Sequence, residues 1–95
     1  MSDGSPDKEL LESIHDFPCE FRFKVIGLAS DHFVGRTLAA VCAVLEEGVE
    51  PAFSTRTTSG GRHTSVTVEQ EMESADQVLE VYANLRQLEG LVMLM

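Results

Sequence analysis

The side chains able to carry chemistry are few and scattered. His15, His32 and His63 fall in three different stretches, none with a partner at the i+2 or i+4 spacing of a local metal motif. A nucleophilic thiol needs a neighbouring base and an electropositive pocket. Cys19 follows a proline, and Cys42 sits between Val41 and Ala43 in an apolar run. Both are therefore expected as reduced, unpaired, small apolar residues, with Cys42 packed on its helix. A phosphate-transferring loop needs a cation, but Gly27-Leu28-Ala29-Ser30-Asp31 holds an acid and no base. No catalytic residue, metal site or cofactor is assigned, and a non-enzymatic protein is expected.

Three groups of residues remain as candidates for contact. Arg22, Lys24 and Ile26 alternate with apolar residues along one extended run, and Ser65, Thr67 and Glu69 do so along another. Together they form an expected interaction face, polar with an apolar centre at Ile26. Arg56 and Arg62 could extend its basic strip, and Glu69 could pair across strands with a cation. Ser59, Gly61 and His63 surround a Gly-Gly turn and form a second candidate contact. Gly27, Ser30 and Asp31 precede a helix whose first N–H groups could receive a carboxylate, which makes them a candidate effector loop.

Charge narrows the partners. Sixteen acids against seven bases leave −9 over 95 residues. That disfavours nucleic acid, whose phosphates demand a basic footprint, and it disfavours anionic lipid. The longest unbroken apolar run, Leu38–Leu45, is far short of the ~20 residues that span a bilayer. Met1-Ser2-Asp3 leads into acidic and polar residues, so no secretory signal is expected, and the cytoplasm is the default compartment. The partner is expected to be an unknown protein or a second copy, with a small-molecule effector as an alternative and weak RNA binding as another.

The elements that must position these groups follow from periodicity. Residues 1–6 are small and polar and are expected to be disordered. Pro6 or Asp7 opens a short acidic helix through Asp16, with Leu10, Leu11 and Ile14 on one side; residues 1–16 thus form an N-terminal extension to a domain spanning 17–95. Period two from Glu20 to Leu28 turns Phe21, Phe23 and Val25 inward. Gly27 there permits close approach of another backbone. Ser30 or Asp31 caps the next helix, which buries Val34, Leu38, Val41 and Leu45 and ends at Glu46-Glu47-Gly48. Ala52–Thr58 and Arg62–Met72 flank Ser59-Gly60-Gly61 as a hairpin, with Val66 and Val68 inward. Ser74 and Gln77 form a capping box for a helix that buries Ala75, Val78, Leu79, Tyr82 and Leu85. Leu91–Met95 supplies a last strand.

After the front helix the order is strand, helix, strand, strand, helix, strand. This predicts an α+β, ferredoxin-like βαββαβ sandwich. Right-handed crossovers give a four-stranded antiparallel sheet of order 4-1-3-2, with two helices on one face and the other face open.

Phe17-Pro18, Phe21 and Lys24-Val25-Ile26-Gly27, followed by Ser59, Gly61, Ser65 and Val66 around the hairpin, resemble the two motifs of the YbeD-like family of small bacterial proteins of unknown function. The resemblance spans Phe17 to Met95. It departs at His63, where that family usually carries an aromatic ring, commonly tyrosine. The resemblance implies a ferredoxin-like fold similar in shape to ACT regulatory domains, which bind small effectors such as amino acids, and it implies no catalytic residues. A fold of this kind does not transfer function. The expectation is a small regulatory or adaptor protein that acts through the open face or a sheet edge, with ACT-like sensing as the alternative.

Overall fold

A computed structural model describes residues 6–95 of the chain. The expectation of disorder for residues 1–5 lies outside the described residues. Phe21, Phe23 and Val25 on β1 (Cys19–Leu28) alternate with exposed Arg22 and Lys24, and buried Thr64, Val66 and Val68 alternate with half-buried Ser65 and Thr67 on β3 (His63–Met72). The two strands pair antiparallel over ten residues, Phe23 opposite Val68 and Val25 opposite Val66. Because side chains alternate strictly across a pleated strand, this one register commits Phe21, Phe23, Val25, Val66 and Val68 to the same face. β2 (Ala52–Thr57) joins the outer side of β3, and β4 (Leu91–Leu94) joins the outer side of β1. The order β2-β3-β1-β4 is the ferredoxin-like one that the element sequence predicts.

α2 (Phe33–Cys42) and α3 (Ala75–Leu85) cover the apolar face of β1 and β3. Asn84 Nδ2 donates to the carbonyl of Ala40 at 3.0 Å, tying the two helices together. Ser74 Oγ accepts from the Gln77 N–H at 3.1 Å, as expected of the cap. The return bond is displaced by one residue, since Gln77 Oε1 accepts from the N–H of Glu73 at 2.7 Å.

Several local expectations are corrected by the packing. The front helix, α1 (Lys8–Ile14), stops before Asp16 and buries only Leu11, while Leu10 and Ile14 face water. A seven-residue helix lying across the edge of a finished core has one apolar point of contact. Lys8 Nζ reaches Asp76 on α3 at 3.1 Å and pins it further. The cap of α2 is neither Ser30 nor Asp31 but His32, with no side-chain hydrogen bond. Asp31 and His32 both adopt left-handed backbone (φ 54° and 57°), a conformation these two residue types tolerate better than most.

That turn brings Phe33 onto Gly27. The missing side chain of Gly27 makes room for the Phe33 ring rather than for a backbone. The rotation of α2 also differs from expectation. Phe33, Thr37 and Val41 are buried, Val34 and Leu38 are half-buried, and so is Leu45 beyond the helix. Thr37 satisfies its hydroxyl by donating to the Phe33 carbonyl at 2.8 Å. The helix ends at Cys42, which is exposed rather than packed. Val44 and Leu45 then bond back three residues, to Val41 and Cys42, so Glu46 and Glu47 lie past the helix end. On α3 it is Val81 that is fully buried, and Leu79 is half-buried. Met72 also lies within the core.

Candidate functional site

The open face is built by alternation. Arg22, Lys24 and Ile26 on β1 stand opposite Glu69, Thr67 and Ser65 on β3, so all six expected face residues share one surface. The register of β2 continues the rows, with Ala52, Ser54 and Arg56 opposite Glu69, Thr67 and Ser65. Met93 pairs with Ile26, and Met95 exchanges two backbone hydrogen bonds with Lys24, 3.1 and 2.8 Å. One row therefore reads Arg56, Ser65, Ile26, Met93 across four strands.

This face has two characters. Toward β4 it is apolar, because Leu28, Met93 and Met95 are each roughly half exposed beside Ile26. Toward the hairpin a concavity of about 450 Å³ opens, lined by Lys24, Ile26, Arg56, Ser59, His63 and Ser65, among others. Thr58 closes the hairpin by donating its N–H to the His63 carbonyl at 2.9 Å. Gly61, at φ 74°, donates to the Thr58 carbonyl at 2.8 Å; the turn needs this left-handed position, and glycine takes it without a steric cost. Ser59 and His63 thus reach the concavity, whereas Gly61 and Arg62 border a second hollow shared with Leu28 and Ser30.

The charges of this end are unusual for so acidic a chain. Arg22 is bound to Glu69 at 2.7 Å, the cross-strand pair expected, and Lys8 is bound to Asp76. Arg36 donates to the carbonyls of Asp31 and Glu89, at 2.7 and 3.0 Å. Lys24, Arg56 and Arg62 have no side-chain partner among the described residues. Lys24 and Arg56 thus stand unneutralised in the concavity of the open face, and Arg62 at the hollow beside the hairpin, three of the seven basic residues of a chain with sixteen acids.

The effector loop takes a different form from that expected. Gly27 lies beneath the Phe33 ring, and the Arg36 guanidinium lies 5.6 Å from the centre of that ring while holding the Asp31 carbonyl. Of the three loop residues, Ser30 lines the hollow beside the hairpin. The histidines stay apart: His15 packs against Phe17 and Phe21, His32 begins α2, and His63 is at the hairpin. Among the described residues no three His, Cys, Asp or Glu side chains gather as a metal-ligand group, and no helix is long and apolar enough to cross a membrane. The aromatic rings of β1 face the helices, with Phe21 and Phe23 packed on Tyr82, which leaves no phenyl ring on the open face of that strand.

A family model described as "Protein of unknown function (DUF493)" matches residues 12–95. The chain belongs to this family. A UPF0250 protein of Shewanella piezotolerans is 35% identical over 79 residues, covering 83% of this chain and 88% of the relative. One from Shewanella woodyi is 32% identical over the same coverage. The solution structure of protein HP0495 from H. pylori superposes with a TM-score of 0.67 at 18% identity and covers 98% of both chains, a likeness of fold. The resemblance to YbeD-like proteins read from Phe17-Pro18 and the hairpin motif is thereby shown, as a membership that names no activity.

The main residues missed by sequence reading are Met93, Met95 and Leu28 as the apolar half of the face, whereas Arg56, expected to extend the basic strip, is found as a wall of the concavity. Counting back from the turn through the hairpin register would have placed Arg56 opposite Ser65. Leu28 continues the alternation of β1, whereas Met93 and Met95 depend on the register that β4 takes on β1, which shifts at Ile26/Gly27.

Proposed function

We propose that this protein is a non-enzymatic binding module of regulatory or adaptor type, whose open sheet face holds an acidic, partly apolar segment of a partner protein. The observation that carries the reading is the set of unneutralised cations, Lys24 and Arg56 in the concavity of a face whose other half is apolar and Arg62 at the hollow beside the hairpin. In an acid-rich chain, cations without intramolecular partners are the groups able to form new ion pairs. A carboxylate held in the concavity would meet Lys24 and Arg56 over the hydroxyls of Ser59 and Ser65, and charge-assisted bonds of this kind are the stronger ones. Adjacent apolar side chains of the same segment would cover Ile26, Met93 and Met95.

The test is a fluorescence anisotropy titration with a labelled peptide of alternating Glu and Leu, against a Lys-Leu peptide of equal length. The expected result is saturable binding of the acidic peptide alone, weakened by salt, and abolished by Lys24→Glu with Arg56→Glu. Equal binding of both peptides, or undiminished binding by the folded charge-reversed variant, overturns the reading.

A further inference from the structure

The sheet has two outer edges, and they are not alike. β4 is four residues long and its pairing with β1 slips in register at Ile26/Gly27, a bulge of the kind that discourages further strand addition. β2 runs six residues with no break in its register, has no lysine or proline within it, and is exposed at every position. Its inner side is only partly covered: Phe53 remains half exposed there, beside a hollow that Leu38 and Cys42 of α2 line together with Val49 and Pro51. An exposed edge with an unbroken register is one that proteins normally protect.

Its backbone is directed outward in a defined way. The Thr58 N–H donates to His63, so Arg56 and Ser54 also turn their backbone groups toward β3. Phe53, Thr55 and Thr57 therefore direct their N–H and C=O groups away from the sheet. Three residues spaced by two and centred on Thr55 are self-complementary under a two-fold axis. Antiparallel pairing of Thr55 with Thr55, and of Phe53 with Thr57, uses every outward group. Pro51, which has no N–H, falls just outside this ladder.

Charge selects the same arrangement. The approach to β2 carries Glu46, Glu47 and Glu50, whereas its far end carries Arg56 and Arg62. An antiparallel neighbour of identical sequence sets the acidic end of each copy against the basic end of the other. A parallel neighbour would set like against like. The side chains also match, since Thr–Thr and aromatic–β-branched cross-strand pairs are favourable ones.

We propose that β2 is the pairing edge of a two-fold dimer of this chain, centred on Thr55, which joins two four-stranded sheets into one of eight strands. This pairing does not rest on the reading of the open face, because Thr55 and Phe53 project from the opposite side of the sheet. In the dimer the two basic concavities come to lie on one continuous surface, one on each side of the axis.

The test is the mass of the full chain by sedimentation equilibrium over a concentration series, with Thr55→Pro, Thr55→Lys and Thr55→Glu variants. Proline at position 55 removes only an outward N–H and leaves the ladder to β3 whole. The expected result is a concentration-dependent mass approaching twice 10.4 kDa. Thr55→Pro should weaken association roughly tenfold for each donor lost, about a hundredfold for the symmetric pair. Pairing of Thr55→Lys with itself would set two ammonium groups against each other across the axis, and Thr55→Glu would do the same with two carboxylates. Each charged variant alone should therefore be monomeric, and an equimolar mixture of the two should regain the dimer. If the proline variant fails to fold by far-ultraviolet dichroism, the charged pair decides. A monomer mass across the series, or a dimer indifferent to all three substitutions, overturns the proposal.

Discussion

Replacing Gly27 by alanine tests how β1 and α2 are fitted together. A Cβ built at this position would lie within contact of three atoms of the Phe33 ring, Cζ, Cε1 and Cε2, the last at 2.7 Å. The ring is 2% exposed and has no open side to move toward. Overpacking of this kind costs ~1–3 kcal/mol, and swinging the ring into water forfeits a similar ~1.5–3 kcal/mol of burial. Against this, alanine in a strand gains ~0.5–1 kcal/mol over glycine from reduced freedom of the unfolded chain. The net expectation is a loss of about 1–2 kcal/mol, or a fall in Tm of roughly 4–15 °C for a chain of this size. The decisive background is Phe33→Leu, whose side chain ends before the three atoms that collide. There Gly27→Ala should be neutral or slightly stabilising, so the sign of its effect reverses. Chemical denaturation of the four proteins of this cycle measures the coupling. A Gly27→Ala cost of the same size in both backgrounds, or no cost in the natural one, refutes the argument.

Leu11→Ala should cost ~2–5 kcal/mol if α1 is an integral part of the core, whereas Leu10→Ala and Ile14→Ala should stay within about 0.5 kcal/mol; urea melts of the three separate a docked helix from an ornamental one. Tyr82 has its phenol pushed above its ordinary value by burial, so the folded state retains the proton that the unfolded state releases. Stability is therefore fully present below the unfolded tyrosine value near ~10 and declines as pH rises through it. Thermal melts between neutral and strongly alkaline pH should show this decline, and Tyr82→Phe should flatten part of it. Lys8, raised mainly by its hydrogen bond to Asp76, supplies an alkaline loss of its own that survives that substitution.

The legible part of the fold was the part written in short-range periodicity. Phe21, Phe23 and Val25 against Arg22 and Lys24, or Val66 and Val68 against Ser65 and Thr67, declare their faces locally because a strand repeats every two residues. Ser74 and Gln77 cap α3 as read, because capping involves neighbours within one turn. The start of α2 was misplaced because Ser30 and Asp31 are strong local cap signals that the packing overrides. Seating the Phe33 ring on Gly27 demands two left-handed residues first, and that demand originates in β1, before the turn begins. The exposure of Leu10, Ile14 and Cys42 escaped for the same reason: an apolar stripe states which side wants to be buried, not whether a surface is there to bury it.

By itself the sequence determined the order of strands and helices, the inward residues of the two central strands and the kinship carried by the Phe17-Pro18 and hairpin motifs. Only the tertiary structure decided which residues meet. Lys24 and Arg56 share a concavity although they are far apart along the chain, because the β1–β3 and β2–β3 registers place both along neighbouring rows. The apolar half of the open face, the protection of one edge by a bulge and the bareness of the other are likewise properties of neighbours rather than of runs. Local dihedral and hydropathy preferences act over a few residues, whereas strand register is set by summing packing over the entire sheet, and a site assembled across four strands inherits that longer range.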